Sequence, residues 1–269
     1  MQSEDRRSWV WSLPDGGASN DWPRFRSRLE SVAVRRDFDL IELATDDQEP
    51  LLLLRREAAD SAVRRLLVAA GFHGEEPAGP WGVLDFLEHA PEPLLYSASL
   101  CLLPLVNVSG FRAGTRLNAR GENPNRGYRG VPGEAPSQEG RVLLRQRATL
   151  RSVARDGLLT CHEDVLLHHA YLYSLERAAA PGELTRALLA VNSAHFPLHP
   201  DGIIDGCTVA GGIIFNHHDG SFESWLMNEG IAYAACVETP GQHPLAQRIA
   251  AHRAMIEAFV RGPVQARDQ

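Results

Sequence analysis

Apolar residues recur along this chain at two spacings, and the alternation between them predicts its architecture. Trp22, Phe25, Leu29 and Val32 fall on one face of a helix over residues 22–34, with Asp21 as its cap and Pro23 in the first turn. Residues 38–43 and 51–54 read as strands on either side of the turn-rich stretch 45–50. The run 66–70 is short, unbroken and apolar, and Gly71 closes it, which marks a buried strand rather than a helix. A helix is expected over 80–88, a strand over 100–108, a helix over 137–156, a strand over 158–161 and a helix over 183–194. Towards the carboxyl end, 220–230 reads as a short helix stopped by Gly230, 231–237 as a last strand and 244–260 as a closing helix. Strands alternating with helices predict an α/β fold with a mixed, mostly parallel central sheet flanked by helices. No repeat or low-complexity tract divides the chain, so residues 1–269 are expected to form a single domain, with 1–36 as an N-terminal helical extension.

The stretch 109–136 escapes both periodicities and is rich in Gly, Arg, Asn and Pro. A loop of that length inside a compact domain is either functional or disordered, and its mixed charges weigh against disorder. Open parallel sheets bind ligands beyond the carboxyl ends of their strands. His73 and Glu76 follow the strand at 66–70, His162 follows 158–161, and Glu238 follows 231–237. In one sheet these ends share an edge, so residues distant in sequence can converge there. Two imidazoles and a carboxylate with a fourth position open to water make a catalytic zinc arrangement. Glu238 is then free to act as general base on water whose pKa the metal lowers.

Other readings of the same residues stay open. His73-Gly74-Glu75-Glu76 alone also fits a turn with a packed His and a solvated Glu, and His217 and His218 fit either a second metal or solvent-facing loop positions. His162-Glu163 does not begin a helical zinc motif, because His168 and His169 fall at the wrong spacing. Neither a Gly-x-Ser-x-Gly elbow nor a phosphate loop is present.

Composition narrows the partners. A net charge of -7 argues against a nucleic-acid groove, which needs a basic face. All 27 basic residues are arginine, so any cationic side chain in the site is a guanidinium, suited to bidentate recognition of a carboxylate. The longest apolar stretch, 94–108, is broken by Ser97, Ser99, Pro104 and Asn107 and is too short to span a bilayer. No apolar region follows the first residues, so a cytoplasmic protein without a membrane partner is expected. Cys101, Cys161, Cys207 and Cys236 sit apart in apolar segments and read as small buried thiols. Asn107-Val108-Ser109 is formally a glycosylation sequon, without meaning unless the chain is secreted.

The ordered series of motifs resembles a zinc carboxypeptidase of the carboxypeptidase A-like superfamily. His73-Gly74-Glu75-Glu76 matches its His-x-x-Glu, and Asn107-Val108-Ser109-Gly110 stands where that family has an Asn-Pro-Asp-Gly turn. Arg116-Leu117-Asn118 and Gly121 through Asn125-Arg126 match its Arg-x-Asn and Gly-x-Asp-x-Asn-Arg, followed by His162 and then by Gly230-Ile231-Ala232-Tyr233 leading to Glu238. The resemblance implies one Zn2+ held by His73, Glu76 and His162, Glu238 as catalytic base and Arg116 polarising the scissile carbonyl. It implies that Asn125 and Arg126 grip the substrate's terminal carboxylate and that Phe222 reads the terminal side chain, disfavouring a charged one. Asn123-Pro124 departs from the family's Asp, and the mobile tyrosine aligns near Phe215 or Asn216, so its hydroxyl is missing. The chain looks most like bacterial intracellular relatives, murein peptide amidases and succinylglutamate desuccinylase/aspartoacylase-type deacylases. Expected substrates are a small peptide or an acyl-amino acid, with a non-catalytic binding protein on the same scaffold as the remaining alternative.

Overall fold

The computed structural model describes residues 13, 16–44, 49–58, 63–129 and 134–262; most of the turn expected over 45–50, the start of the expected N-terminal extension and residues 130–133 of the long loop lie outside these. The amino-terminal half runs α1 (Trp22–Arg35), β1 (Asp39–Leu43), β2 (Leu51–Arg56), β3 (Arg65–Ala70), α2 (Ala78–His89), α3 (Glu92–Leu95), β4 (Ser99–Leu103), α4 (Val108–Ala113), α5 (Gln138–Arg145) and α6 (Arg147–Val153). It continues through β5 (Gly157–Asp164), β6 (Tyr171–Glu176), α7 (Glu183–His195), β7 (Gly202–Ile204), β8 (Cys207–Val209), β9 (Ile213–Phe215), α8 (Phe222–Asn228), β10 (Tyr233–Pro240) and α9 (Leu245–Arg261). Asp21 caps α1 as expected, its carboxylate accepting the Arg24 N–H at 3.0 Å.

Eight strands form one sheet in the order β1-β2-β4-β3-β5-β10-β6-β9. Its centre, β4-β3-β5-β10, is parallel, as is β6 with β9, while β1-β2, β2-β4 and β10-β6 pair antiparallel. On β3 the side chains divide by pleat: Leu66, Val68 and Ala70 pack with Phe25, Leu84, Leu87, Ile256 and Phe259 beneath α1, α2 and α9. Leu67 and Ala69 pack with Val142, Leu150, Phe222 and Leu226 beneath α5, α6 and α8. A strand buried on both faces must be apolar throughout, which is why 66–70 is an unbroken run. No helix among the described residues is long and apolar enough to cross a membrane.

Three departures from the expected elements have local causes. The strand expected over 100–108 ends at Leu103 because Pro104 has no N–H to extend the ladder, and Asn107 then caps α4 through a 2.8 Å bond from the Gly110 N–H. The helix expected over 137–156 breaks at Gln146, whose N–H turns back to Leu143 O at 3.0 Å in a tighter turn. Strands β7, β8 and β9 have three residues each, too few for a period-2 pattern to register.

A close contact between α2 and α9 carries a pH-sensitive group. A Cβ on Gly82 of α2 would lie 2.5 Å from the His252 Cβ of α9, so only glycine admits this approach. His252 is fully buried and pairs with Thr239 Oγ1 at 3.0 Å. Burial, with Arg248 and His162 nearby, pushes its pKa down to about 3. The folded state therefore resists protonating this ring, and its stability contribution is full above the unfolded value of about 6.5 and is lost as pH falls towards 3. At pH 5 the loss is about 2 kcal/mol. We expect the urea midpoint to drop between pH 7 and pH 5 and to drop measurably less in His252→Gln, which cannot titrate; equal drops would exclude this origin.

Candidate metal centre

The site is assembled from the end of β3 outwards. Gly71 leaves the strand with φ +68°, a left-handed conformation that glycine adopts without strain. At Gly74 a Cβ would fall 1.8 Å from the Gly110 carbonyl carbon, so the turn carrying His73 lies directly on α4. Asn107, fully buried between them, donates from Nδ2 to Phe72 O and to Arg116 O, both at 3.2 Å, while its Oδ1 caps α4. One amide thus fixes the His73 turn, a helix start and the loop carrying Arg116. The formal sequon is a structural clamp.

Strands β5 and β10 supply the opposite wall. His162 and Glu238 are paired residues in their parallel register, so both side chains leave the sheet at one level. Glu76 bridges the two imidazoles: Oε1 is 2.6 Å from His73 Nδ1 and Oε2 is 2.8 Å from His162 Nδ1. All three residues are at most 3% exposed, and their candidate ligand atoms lie within 4.8 Å of one another. His73 Nε2 meets Asn123 Oδ1 at 3.1 Å, and that oxygen also accepts the Asn125 N–H at 2.9 Å. The replacement of Asp by Asn123 therefore keeps a hydrogen-bonded support for the loop. Arg116 Nη1 lies 3.3 Å from Glu76 Oε1 with its side chain 43% exposed, reaching the site from solvent.

Charge in this cluster centres on the Glu76 carboxylate. Burial favours the neutral form of the Glu76 carboxyl, but His73 and His162 outweigh it and hold Glu76 well below the usual carboxylate range. Burial likewise opposes charge on His162, yet Glu76, Glu238 and Glu223 together raise its pKa to about 9. Burial lowers His73 despite Glu76. Glu238 is pushed up to about 8 by burial, with Glu76 and Asp164 adding to the rise and His162 opposing it. Two imidazole nitrogens and one carboxylate, each imidazole backed by a hydrogen-bonding residue, fit a borderline divalent ion such as zinc.

The cluster opens into a cavity of about 300 Å³. His73, Glu76, His162, Glu238, Arg116, Asn125 and Arg126 all line it, so seven of the eight residues singled out in the sequence meet there. Phe222 does not. It is fully buried under the cavity floor, with ring centroids 5.2 Å from Phe72, 5.6 Å from Tyr128 and 5.7 Å from Trp225, because Ser221 caps α8 and turns the next side chain into the core. Tyr173, Leu175, Ser221 and Cys236 reach the cavity instead. Asn125 is engaged by the protein itself, its Oδ1 accepting the Phe222 N–H at 2.8 Å and its Nδ2 pointing to Glu223 at 3.4 Å. Arg126 Nη2 pairs with Asp219 at 3.2 Å, its side chain 46% exposed.

Sequence reasoning missed Glu223, Tyr171 and Tyr173. The two tyrosines alternate along β6 with the period of a strand, a signal that was there to be read. Glu223 had none, being an acid in the first turn of a helix, where acids are common. Phe215 and Asn216 supply no phenol, but Tyr171 and Tyr173 bring two to the cavity, Tyr171 donating to Asp164 Oδ2 at 3.0 Å. His217 lines the cavity and His218 contacts Ser224 Oγ at 3.3 Å; among the described residues neither belongs to a group that could hold a metal. The four cysteines are free and buried.

Comparisons with known proteins bear on this geometry. Residues 62–170, which hold His73, Glu76 and His162, match the succinylglutamate desuccinylase/aspartoacylase catalytic domain. No curated protein matches the chain. A crystal structure of a "putative metallopeptidase" from Shewanella amazonensis SB2B shares 43% identity over 94% of this chain and 97% of its own, with a TM-score of 0.90. Its counterpart from Shewanella denitrificans OS217 shares 41% over 97% and 98%, with a TM-score of 0.89. The metallo-carboxypeptidase from Burkholderia cenocepacia, at 16% identity over 89% of this chain and 68% of its own, has the same fold at a TM-score of 0.66.

Proposed function

This chain belongs to the zinc carboxypeptidase-like and deacylase superfamily, and from that premise we propose that it is a zinc-dependent hydrolase cleaving an amide bond next to a free carboxylate. The observation carrying the proposal is the convergence of His73, Glu76 and His162 within 4.8 Å, beside Glu238, on one cavity. His73 Nδ1, Glu76 and His162 Nδ1 would hold the ion. When bound, zinc supplies a Lewis acid that polarises a carbonyl and acidifies water.

The remaining chemistry is assigned to side chains. Glu238 takes a proton from the attacking water as the oxygen–carbon bond forms, and passes it to the leaving amine as the carbon–nitrogen bond breaks. Glu238 stands level with His162 in the register of β10 and β5 and faces the same cavity, so its carboxylate is placed for both halves of that transfer. Arg116, anchored at Glu76 but half exposed, donates to the oxyanion as charge develops there. Arg126 receives the free carboxylate in bidentate fashion, in exchange for Asp219.

Two substrates fit this scheme, a small peptide and an N-acyl amino acid, and the match to the deacylase catalytic domain favours the second. Release of C-terminal residues from peptides, assayed beside acyl release from acyl-amino acids, separates them. Ligand binding without turnover of either by the zinc-loaded protein would leave only a binding function. Arg116→Ala is expected to lower kcat by about 10²–10³-fold on the preferred substrate with zinc content unchanged; parental kcat would remove Arg116 from the reaction.

A further inference from the structure

We infer that Tyr171 is a catalytic residue whose phenol oxygen accepts the N–H of the scissile amide and so turns the nitrogen lone pair towards Glu238. The inference rests on the hydrolase reading above and gives a task to a side chain that the reading leaves unused. Glu238 is paired in register with His162 of β5 and with Tyr171 of β6, so the three side chains leave the sheet on one face at one level. Tyr171 Oη donates to Asp164 Oδ2 at 3.0 Å, and Asp164 belongs to β5, on the far side of β10. Strands two places apart in a sheet are separated by roughly 9–10 Å, so the Tyr171 side chain lies across β10 beside Glu238. Glu238 is accordingly the first charge to add to the rise that burial imposes on the phenol's pKa, ahead of Asp164. Tyr171 is 3% exposed, packs with Ile204, Cys207 and Ile214, and lines the cavity.

The direction of that hydrogen bond decides what the phenol can offer. Asp164 Oδ1 accepts the N–H groups of Leu166 at 3.0 Å and Leu167 at 3.2 Å, and Oδ2 takes the phenol proton, so this carboxylate is an acceptor throughout. With its one proton committed, Tyr171 faces the cavity as an acceptor, and no donor among the described residues reaches that oxygen. A neutral acceptor beside the general base suits a neutral donor, and the part of an amide substrate that comes next to Glu238 is the leaving nitrogen with its N–H. As the oxygen–carbon bond forms, that nitrogen becomes pyramidal, and its lone pair must face the proton on Glu238 before the carbon–nitrogen bond breaks. Holding the N–H at Tyr171 fixes this orientation. An ester oxygen carries no hydrogen and gains nothing from it.

The test compares the zinc-loaded parent, Tyr171→Phe and Asp164→Asn on whichever amide the parent cleaves, acyl-amino acid or peptide, and on the ester analogue in which oxygen replaces the scissile N–H. Tyr171→Phe removes the acceptor. Asp164→Asn keeps the phenol but reverses its hydrogen bond: the Asn oxygen stays with the two N–H groups, the NH2 meets the phenol oxygen, and the phenol proton turns into the cavity. In both variants the ratio of kcat on the amide to kcat on the ester is expected to fall about 10–100-fold, the range for one unmade hydrogen bond. A ratio within about threefold of the parent in either variant, because both rates fall together or because neither falls, overturns the inference. A parent that cleaves neither class of amide removes the hydrolase reading itself, and this inference with it. Each variant is decisive alone, so if one fails to fold the other still decides.

Discussion

Glu238→Gln is expected to lower kcat by about 10²–10⁴-fold while zinc content stays at the parental level, because the amide keeps the shape of the side chain but cannot accept the proton of water. Glu238 lines the cavity beside His162 yet is not among the three converging side chains that could hold a metal, so its substitution leaves those candidate donors intact. The same variant has an effect on stability with the opposite sign. Burial raises the folded pKa of Glu238 to about 8, above the unfolded value, so its stability contribution is full below about 4.5 and is lost as pH rises through 8. Above pH 8 the metal-free parent carries a buried charge that the Gln variant lacks, so the variant should be the more stable there, with the gap closing towards pH 5. Turnover and urea midpoints at the two pH values check both halves. Parental turnover would remove Glu238 as the base, and a Gln variant less stable at high pH would mean that the carboxylate is held by partners rather than strained by burial.

What could be read in the sequence was what burial on two faces imposes. The run 66–70 ends at Gly71 because a strand between two helical layers must be apolar and must then turn sharply, and the same logic placed His162 and Glu238 on one sheet edge. The two residues prove to be strand positions rather than loop positions, since β5 extends to Asp164 and β10 to Pro240. Contacts between loops were not legible. Asn107 reads as a sequon because nothing local shows that its amide will meet Phe72 O and Arg116 O. Phe222 reads as a pocket residue because order along the chain, without the rotation of α8, cannot say that its ring is sealed against Phe72 and Tyr128. Glu223, one residue on, holds the polar position instead, with Thr160 and Asn125 as its partners.

The support under Glu76 reaches well beyond the cavity. Its Oε2 also accepts the Glu163 N–H at 3.3 Å. The Glu163 side chain accepts the Ala78 N–H at 2.6 Å at the start of α2 and pairs with the buried Arg248 of α9. A single residue of β5 thus ties Glu76 to both α2 and α9. This arrangement fixes the position of Glu76 before any ion arrives, which limits the ordering that binding would otherwise require.

For that reason Glu76→Ala should have the largest effect on the metal, taking zinc from about one per chain to little or none. Zinc at about 100 times its Kd should stabilise the parent by about 2.7 kcal/mol, a rise of roughly 5–10 °C in Tm for a chain of this size, and should leave the variant unmoved. The substitution also strips the buried His162 of its counter-charge, at a cost of about 3–5 kcal/mol when one member of a buried pair is removed. Its pH dependence identifies the cause. Glu76 is the largest of the charges that raise His162 to about 9, so their mutual stabilisation is complete below the unfolded pKa of about 6.5 and is lost as pH rises through 9. Destabilisation by Glu76→Ala in the metal-free protein should therefore be greatest near pH 6 and shrink above pH 9. A variant that still holds stoichiometric zinc, or whose cost is the same at both pH values, would mean that Glu76 fills space between two histidines without holding charge or metal there.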